Sequence, residues 1–415
     1  MLNLDFDPSS DDLYGFLDED NDKNYGTCQW LMKSPRNMLK AELYMAERMA
    51  RIGGKRKTYD THSIEVYLDE NLEKLTESLY QKTYAPSRGI VYIILNPVQR
   101  EICAAPYIDR IVHHYIVDTI NPWWDKRLNA GASSCRVGKG TSYAINLLDK
   151  HIRQTSRNFA RPAYVVKMDI SGYFMHIRRD VLFERVLWGL DRQFSGNYGK
   201  RYQIVKYAIE QVIMDEPIVG IKIRGSYGDW RGLPADKSLF MAEPGCGIVI
   251  GNVTSQVFSN IYLDPLDRFV TMELGYKQYG RYVDDFYIVV TEEQLTQVNR
   301  DIGAINNFLK TLGLYLNVKK TKVIPSWQGV PFLGIVNKNG VIMPDKRLYR
   351  NYSNAVRAYI AGIKNEESVT SYLGMMKNYD AWKVIQKPFG DEITLLNNFR
   401  NVLGDRLISV KDFGI

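Results

Sequence analysis

The sequence predicts an α+β fold in which an antiparallel sheet is backed by helices. Three observations carry that expectation. The run AYVVKMDI (163–170) is apolar and β-branched, and reads as a strand. YGRYVDDFYIVV (279–290) reads as a hairpin, with two acids at the turn between two apolar strands. Most of the remaining chain carries apolar residues at helical spacing.

Taken in order, residues 28–83 alternate apolar and charged residues in a pattern that predicts two or more helices. GIVYIILNP (89–97) is a short β-rich run closed by a proline. Residues 107–153 are expected to be largely helical, broken by the loop NAGASSCRVGKGT (129–141). After the strand that ends at Asp169, a helix is expected over 181–215, then a loop or small excursion over 221–247, rich in Gly, Pro and charge. Residues 255–274 and 292–313 have helical periodicity, the second closing at Gly313. Residues 321–344 read as short strands with Asn339-Gly340 as a hairpin turn, and 345–415 as basic helices.

A chain of 415 residues, 45% apolar and 24% charged, has the composition of a soluble globular protein of one large or several ordinary domains. No apolar run reaches the ~18 residues of a membrane span. The start MLNLDFDPSSDD lacks the basic and apolar regions of a signal peptide, so a cytoplasmic protein with no membrane partner is expected. Cys28, Cys103, Cys135 and Cys246 are scattered, which points to reduced structural thiols rather than a disulfide framework or zinc site. The net charge is +7, yet residues 1–26 hold eight acids against Lys23 alone, leaving 53 basic and 39 acidic residues in the body. A basic body suits a polyanionic partner through counterion release, and equally describes a solvated basic surface.

The sharpest local feature is Tyr282-Val283-Asp284-Asp285 between two apolar strands. Adjacent carboxylates repel, and an apolar setting makes their ionisation costly; a bound divalent cation, which prefers carboxylate oxygens, resolves both difficulties. An isolated Asp-Asp pair is more often a solvated turn. Asp169, ending its own strand and followed by Ile170-Ser171-Gly172-Tyr173-Phe174, supplies a third carboxylate. Three such groups can hold two Mg²⁺ ions for in-line phosphoryl transfer. Gly172 allows close approach of backbone to phosphate, while Tyr173 and Phe174 are stacking rings or plain core. Of the adjacent His113 and His114, helix geometry turns one inward and one outward, and a structural role is expected.

The order D-x-x-G-Y-F, G-N-V-T-S-Q, Y-V-D-D, L-N-V-K-K-T, P-F-L-G, spread over about residues 85–345, resembles the successive motifs of reverse transcriptases. Within that superfamily, which includes the group II intron-like enzymes, the chain is most similar to the reverse transcriptases of diversity-generating retroelements. That closer match lies in Arg100-Glu101-Ile102, Ala105-Pro106, Asp109-Arg110, His113-His114, Ser134-Cys135-Arg136 with Gly138-Lys139-Gly140-Thr141, Ile250-Gly251 through Ser255-Gln256, and Ser371-Tyr372-Leu373-Gly374. Most reverse transcriptases have Pro where this chain has Gln256.

The resemblance implies a right-handed fingers–palm–thumb polymerase with an antiparallel palm sheet and a helical thumb. An acidic segment would fill 1–27, fingers 28–160 with 181–244 returning to them, palm 161–180 and 245–344, and thumb 345–415. Asp169, Asp284 and Asp285, with Ile170 beside them, would hold two Mg²⁺ ions, for which Mn²⁺ can substitute. Phe174 would be the ring that excludes a ribose 2′-hydroxyl, in a dNTP pocket shared with Ile170, Gly172, Tyr173, Gln256 and Arg100. Val98-Gln99 departs from the family, which usually has Lys near 98. Lys320, flanked by Lys319 and Lys322, would serve the leaving pyrophosphate. Template and primer would meet Arg136, Lys139, Ile250, Gly251, Ser255, Tyr282, and a primer grip of Phe332, Leu333 and Gly334. Ile250 and Gln256 are fidelity candidates, since this group is associated with errors opposite template adenine; their plain alternatives are a core residue and a helix-capping amide.

The implied partners are a structured RNA template, a DNA or RNA primer with its cDNA product, and a small basic helical accessory protein, in a prokaryotic or phage-encoded ribonucleoprotein. Rivals are a reverse transcriptase of antiphage defence, a retron or CRISPR adaptation, a non-catalytic RNA-binding scaffold, and an RNA-dependent RNA polymerase.

Overall fold

A computed structural model describes residues 34–52, 59–95, 98–363 and 366–404. The acidic segment of 1–27 therefore lies outside the described residues. The chain runs through α1 (Pro35–Arg51), α2 (Tyr59–Val66), α3 (Leu68–Tyr80), β1 (Ile90–Ile94), β2 (Arg100–Ala104), α4 (Tyr107–Asp125) and α5 (Thr141–Ser156). Then come β3 (Tyr164–Asp169), the single turn α6 (Tyr173–His176), α7 (Arg179–Phe194), α8 (Lys200–Met214), β4 (Lys222–Ile223) and α9 (Val253–Arg268). The hairpin β5 (Tyr279–Tyr282) and β6 (Asp285–Val290) leads into α10 (Leu295–Thr311), β7 (Lys322–Pro325), β8 (Val330–Phe332), β9 (Ile335–Lys338) and β10 (Val341–Pro344). Helices α11 (Lys346–Ile360), α12 (Glu367–Met376), α13 (Trp382–Gln386) and α14 (Arg400–Leu403) follow.

The central sheet has the order β5-β6-β3-β7, antiparallel throughout. Strand alternation divides its side chains between two cores. Val166, Met168, Phe286 and Ile288 face the largest one, which α9 and α10 close with Val257, Phe258, Ile261, Val298 and Ile305. Val165, Tyr287 and Val289 face a second core completed by Ala144, Ile145, Leu148 and Ile152 of α5 and by Phe332. Asp169 and Asp285 share the parity of Val165 and Tyr287, at the end of that face.

The helical body forms for ordinary reasons. Pro35 opens α1 at a position where its missing N–H is no loss, and Leu39, Leu43, Ala46 and Ala50 make one buried stripe. That stripe joins the largest core together with Ile111, Val112, Tyr115, Ile116 and Ile120 of α4. Each such aliphatic side chain stabilises by ~1.5–3 kcal/mol when fully buried. Helices α11 to α14 enclose a separate core around Tyr352, Val356, Leu373, Ile385 and Phe399.

The strand at 163–170, the hairpin at 279–290 and the turn at Asn339-Gly340 form as expected; both turn residues have positive φ, 45° and 85°. The helix expected over 181–215 is two helices, broken where Ser195 and Gly196 take φ of 50° and 85°. The expected helix over 255–274 ends in a π turn at Phe269–Glu273. Residues 221–247 do form an excursion, but β4 within it pairs parallel to β1, so one pair breaks the antiparallel expectation. The pairing of β2 with β1 was not legible in the alternation of five mixed residues.

Candidate active site

Strand β3 ends at Asp169 and β6 starts at Asp285, and the register sets these two residues opposite each other. Asp284 sits in the two-residue turn between Tyr282 and Asp285, and its carbonyl accepts a hydrogen bond from Ile170 N–H at 3.2 Å. The other edge is built by the segment after α10. Leu316 bridges to Ile170, Asn317 N–H donates to the Asp169 carbonyl at 2.7 Å, and Ser171 N–H donates to the Tyr315 carbonyl at 2.9 Å. This segment brings Lys320 over the strand end, where its ammonium meets both Asp169 oxygens at 3.0 and 2.9 Å. Lys167, two residues back along β3, stands 3.6 Å from Asp285 Oδ1.

Burial, followed by the fields of Asp285 and Asp169, pushes the Asp284 carboxyl up to about 7. Burial also raises Asp285, against the pull of Lys167. Burial opposes the charge of Lys320, but the hydrogen bond to Asp169 and the fields of Asp285 and Asp284 outweigh it and raise its pKa. The centre is thus three carboxylates that cannot all ionise cheaply without positive charge. Two ammonium groups already answer that demand, and an all-oxygen donor set suits a hard divalent cation. In donor chemistry the residues fit such an ion, although among the described residues no group of three or more His, Cys, Asp or Glu side chains is arranged to hold one.

Gly172 takes φ 52°, and a Cβ there would lie 2.7 Å from the Asp236 carbonyl oxygen and the His176 ring. A side chain at this position would therefore collide with protein backbone and with an imidazole ring, which is why glycine stands here. Tyr173 is 2% exposed and donates to the Ser259 carbonyl at 2.7 Å, so it is a core residue rather than an open stacking platform. Phe174 is half-buried, edge-to-face with Tyr173 at 5.2 Å, and touches both the largest core and the small core around Val91 and Cys103. Arg100 is exposed at the start of β2. The Ile250 carbonyl accepts Cys103 N–H at 3.0 Å, which stitches Ile250 and Gly251 to the strand that carries Arg100. Ser255 is buried and Gln256 half-buried in the first turns of α9; Asn252, not Gln256, occupies the cap position.

Arg136 is not presented to a nucleic acid. Its side chain is 5% exposed and donates to Asp125 and to the carbonyls of Asp125, Asn129 and Ala132, pinning the 129–136 loop. Lys139 is half-exposed, donates to the Ala130 carbonyl at 3.1 Å, and is lowered to about 8 by burial and then by Arg136. Tyr282 is half-buried with its hydroxyl 3.3 Å from Thr141 Oγ1. Phe332 packs edge-to-face on Tyr287, and Leu333 and Gly334 make the turn into β9 with φ of 50° and 84°. His113 is buried against Thr254, and His114 is half-buried. Lys320, rather than Lys319 or Lys322, reaches the carboxylates.

Sequence reasoning missed the residues under the turn. Arg281 and Asp267 form a bidentate pair, both bonds 2.7 Å, with both side chains at 0% exposure. The signal was available: an arginine inside a buried strand requires a partner.

With this geometry in place, known proteins can be compared with the chain. Residues 237–337, which include Asp284, Asp285 and Lys320, match the family "Reverse transcriptase (RNA-dependent DNA polymerase)". That segment of this mixed helix-and-sheet chain thus resembles RNA-directed DNA polymerases, and the architecture fits a reverse transcriptase fold. No curated protein matches the sequence. Among solved structures, apo telomerase from Candida tropicalis is similar at 12% identity and TM-score 0.43, over 77% of this chain and 60% of that one. Telomerase from Candida albicans in complex with a TWJ fragment of telomeric RNA is similar at 13% identity and TM-score 0.44, over 78% and 56%. The chain thus spans between 56% and 60% of the length of these two, and likenesses of this order carry no weight for activity. Among the described residues no helix is long and apolar enough to cross a membrane.

Proposed function

We propose that the protein copies an RNA template into cDNA with dNTPs, as an error-prone reverse transcriptase of the diversity-generating retroelement type. The observation that carries the reading is the meeting of Asp169, from outside the matched segment, with Asp284 and Asp285 inside it, under Lys320. Asp169, Asp284, Asp285 and the Ile170 carbonyl would hold divalent ions, Mg²⁺ or Mn²⁺, which supply the charge that polarises the primer 3′-hydroxyl and offsets that of the leaving pyrophosphate.

The chain's own residues have separate tasks. Lys320 balances charge at the carboxylates and is placed to neutralise pyrophosphate. Phe174, wedged between two cores, is a rigid ring suited to excluding a 2′-hydroxyl. Arg100 offers a planar, permanently charged fork for triphosphate oxygens. Ile250 and Gln256 would border the nascent pair, a reading supported by the bond that ties Ile250 to β2. Residues 161–180 and 245–344 would be palm, 28–160 and 181–244 fingers, and 345–415 thumb. A structured RNA and a small basic accessory protein complete the proposed assembly.

The test is primer extension on an RNA template containing all four bases, comparing wild type with Asp284→Asn/Asp285→Asn and sequencing the cDNA. Product lost in the double variant, with errors concentrated opposite adenine, is the expected result. Accurate product would keep the polymerase and move it to a defence or retron role. If no product forms even with cognate RNA and accessory protein, the scaffold reading replaces it. Phe174→Ala should admit rNTPs; unchanged sugar discrimination would remove the gate assignment.

A further inference from the structure

The turn that carries Asp284 is held by side chains, one of them from outside its own hairpin. Val283 has φ 57°, the left-handed region that a β-branched residue rarely enters and that two-residue hairpins ordinarily reserve for Gly, Asn or Asp. Such a conformation persists only where its surroundings over-determine it. Both backbone polar groups of Val283 are taken by side chains. Its N–H donates to Ser134 Oγ at 3.1 Å, and its carbonyl accepts from Arg281 Nη1 at 3.1 Å.

Asn260 of α9 joins the two. Its Oδ1 accepts from Ser134 Oγ at 3.3 Å and from Arg281 Nη1 at 3.2 Å, while its Nδ2 donates to the Ser134 carbonyl at 2.8 Å. Ser134, Asn260 and Arg281 are each 1% exposed. The loop that presents Ser134 runs beside β5, with Ser133 N–H on the Arg281 carbonyl and Arg281 N–H on the Gly131 carbonyl, both at 2.9 Å. Arg136 fixes the far side of the same loop.

We infer that Ser134, Asn260 and Arg281 are positioning residues, a buried clamp that holds Val283 left-handed and so fixes Asp284 beside Asp169 and Asp285. Ser134 from a distant loop and Arg281 from the hairpin's own strand take the two backbone groups of one residue, and Asn260 of a third element ties the two side chains together, an arrangement that general packing does not require. The inference rests on the carboxylates being the polymerase centre.

The test compares Ser134→Ala, which removes one oxygen, in two backgrounds: wild type and Val283→Gly. Glycine adopts a positive φ without strain, so it has less need of the clamp. Expected for Ser134→Ala alone are a kcat for dNTP addition at least tenfold lower, an unchanged KM for dNTP, and Mn²⁺ affinity weakened severalfold by electron paramagnetic resonance. In the Val283→Gly background the same change should cost less than threefold in both kcat and Mn²⁺ affinity. An equal cost in the two backgrounds, or none in the first, overturns the clamp. Should wild type add no dNTP at all, the polymerase reading fails, and the Mn²⁺ affinities still decide the clamp.

Discussion

Replacing Arg281 by Met should be among the most damaging single changes in the sheet. The guanidinium makes two 2.7 Å bonds to Asp267 and also serves Asn260 and the Val283 carbonyl. Both partners are fully buried, so no water replaces it. Methionine fills much of the volume but leaves Asp267 charged with only Tyr279 Oη donating to it. Removing one member of a buried pair costs ~3–5 kcal/mol. With ~2.1 cal/mol/K of unfolding entropy per residue, that lowers Tm by only ~3–6 °C in a chain of this length, so urea unfolding is the better assay. Asp267→Leu should cost a similar amount. The double variant Arg281→Met/Asp267→Leu should cost much less than the sum, because neither charge is then left alone. A loss below ~1 kcal/mol for Arg281→Met, or strict additivity in the double variant, would refute the reasoning.

Two further outcomes follow from buried groups. Tyr173→Phe removes one hydroxyl from the Ser259 carbonyl and should cost ~1 kcal/mol in urea unfolding while leaving KM for dNTP unchanged; a raised KM without lost stability would return Tyr173 to the nucleotide pocket. His113 is driven by burial, with His114 and Arg110 adding to the effect, from its ordinary 6.5 to about 3. Between those values the unfolded chain binds a proton that the folded chain does not, so this stability is present above pH 6.5 and is lost as pH falls toward 3. Wild type should therefore lose more stability than His113→Gln between pH 7 and 4.5, and equal losses would count against a neutral buried imidazole.

What the sequence made legible was what local pattern controls. The apolar, β-branched run through Val165, Val166 and Met168 placed β3, and paired acids between apolar strands placed the hairpin. Asn339-Gly340 announced its turn through backbone freedom alone. Features set by distant partners were not legible. Arg136 reads as a nucleic-acid contact until Asp125 and three carbonyls are seen to surround it. Likewise β4 has two residues, too few for any period, and is a strand only because Val91 and its neighbour lie beside it. The centre itself was half legible: its carboxylates stood out by type, whereas Ser134 and Asn260 are ordinary polar residues until folding joins them.

The order of strands also bears on how the chain is made. Strand β3 lies inside the sheet, yet both its neighbours, β6 and β7, come later in the sequence. At ~5–20 residues per second, translation delivers Asp285 roughly 6–23 s after Asp169. Throughout that interval β3 has emerged with neither edge paired, an apolar strand open to wrong partners. The helices from α1 to α4 precede β3 in the chain and can assemble before its partners arrive. The nascent protein is thus most exposed to aggregation while its future centre waits for its second half, and slowing elongation between 170 and 285 should lengthen that exposure.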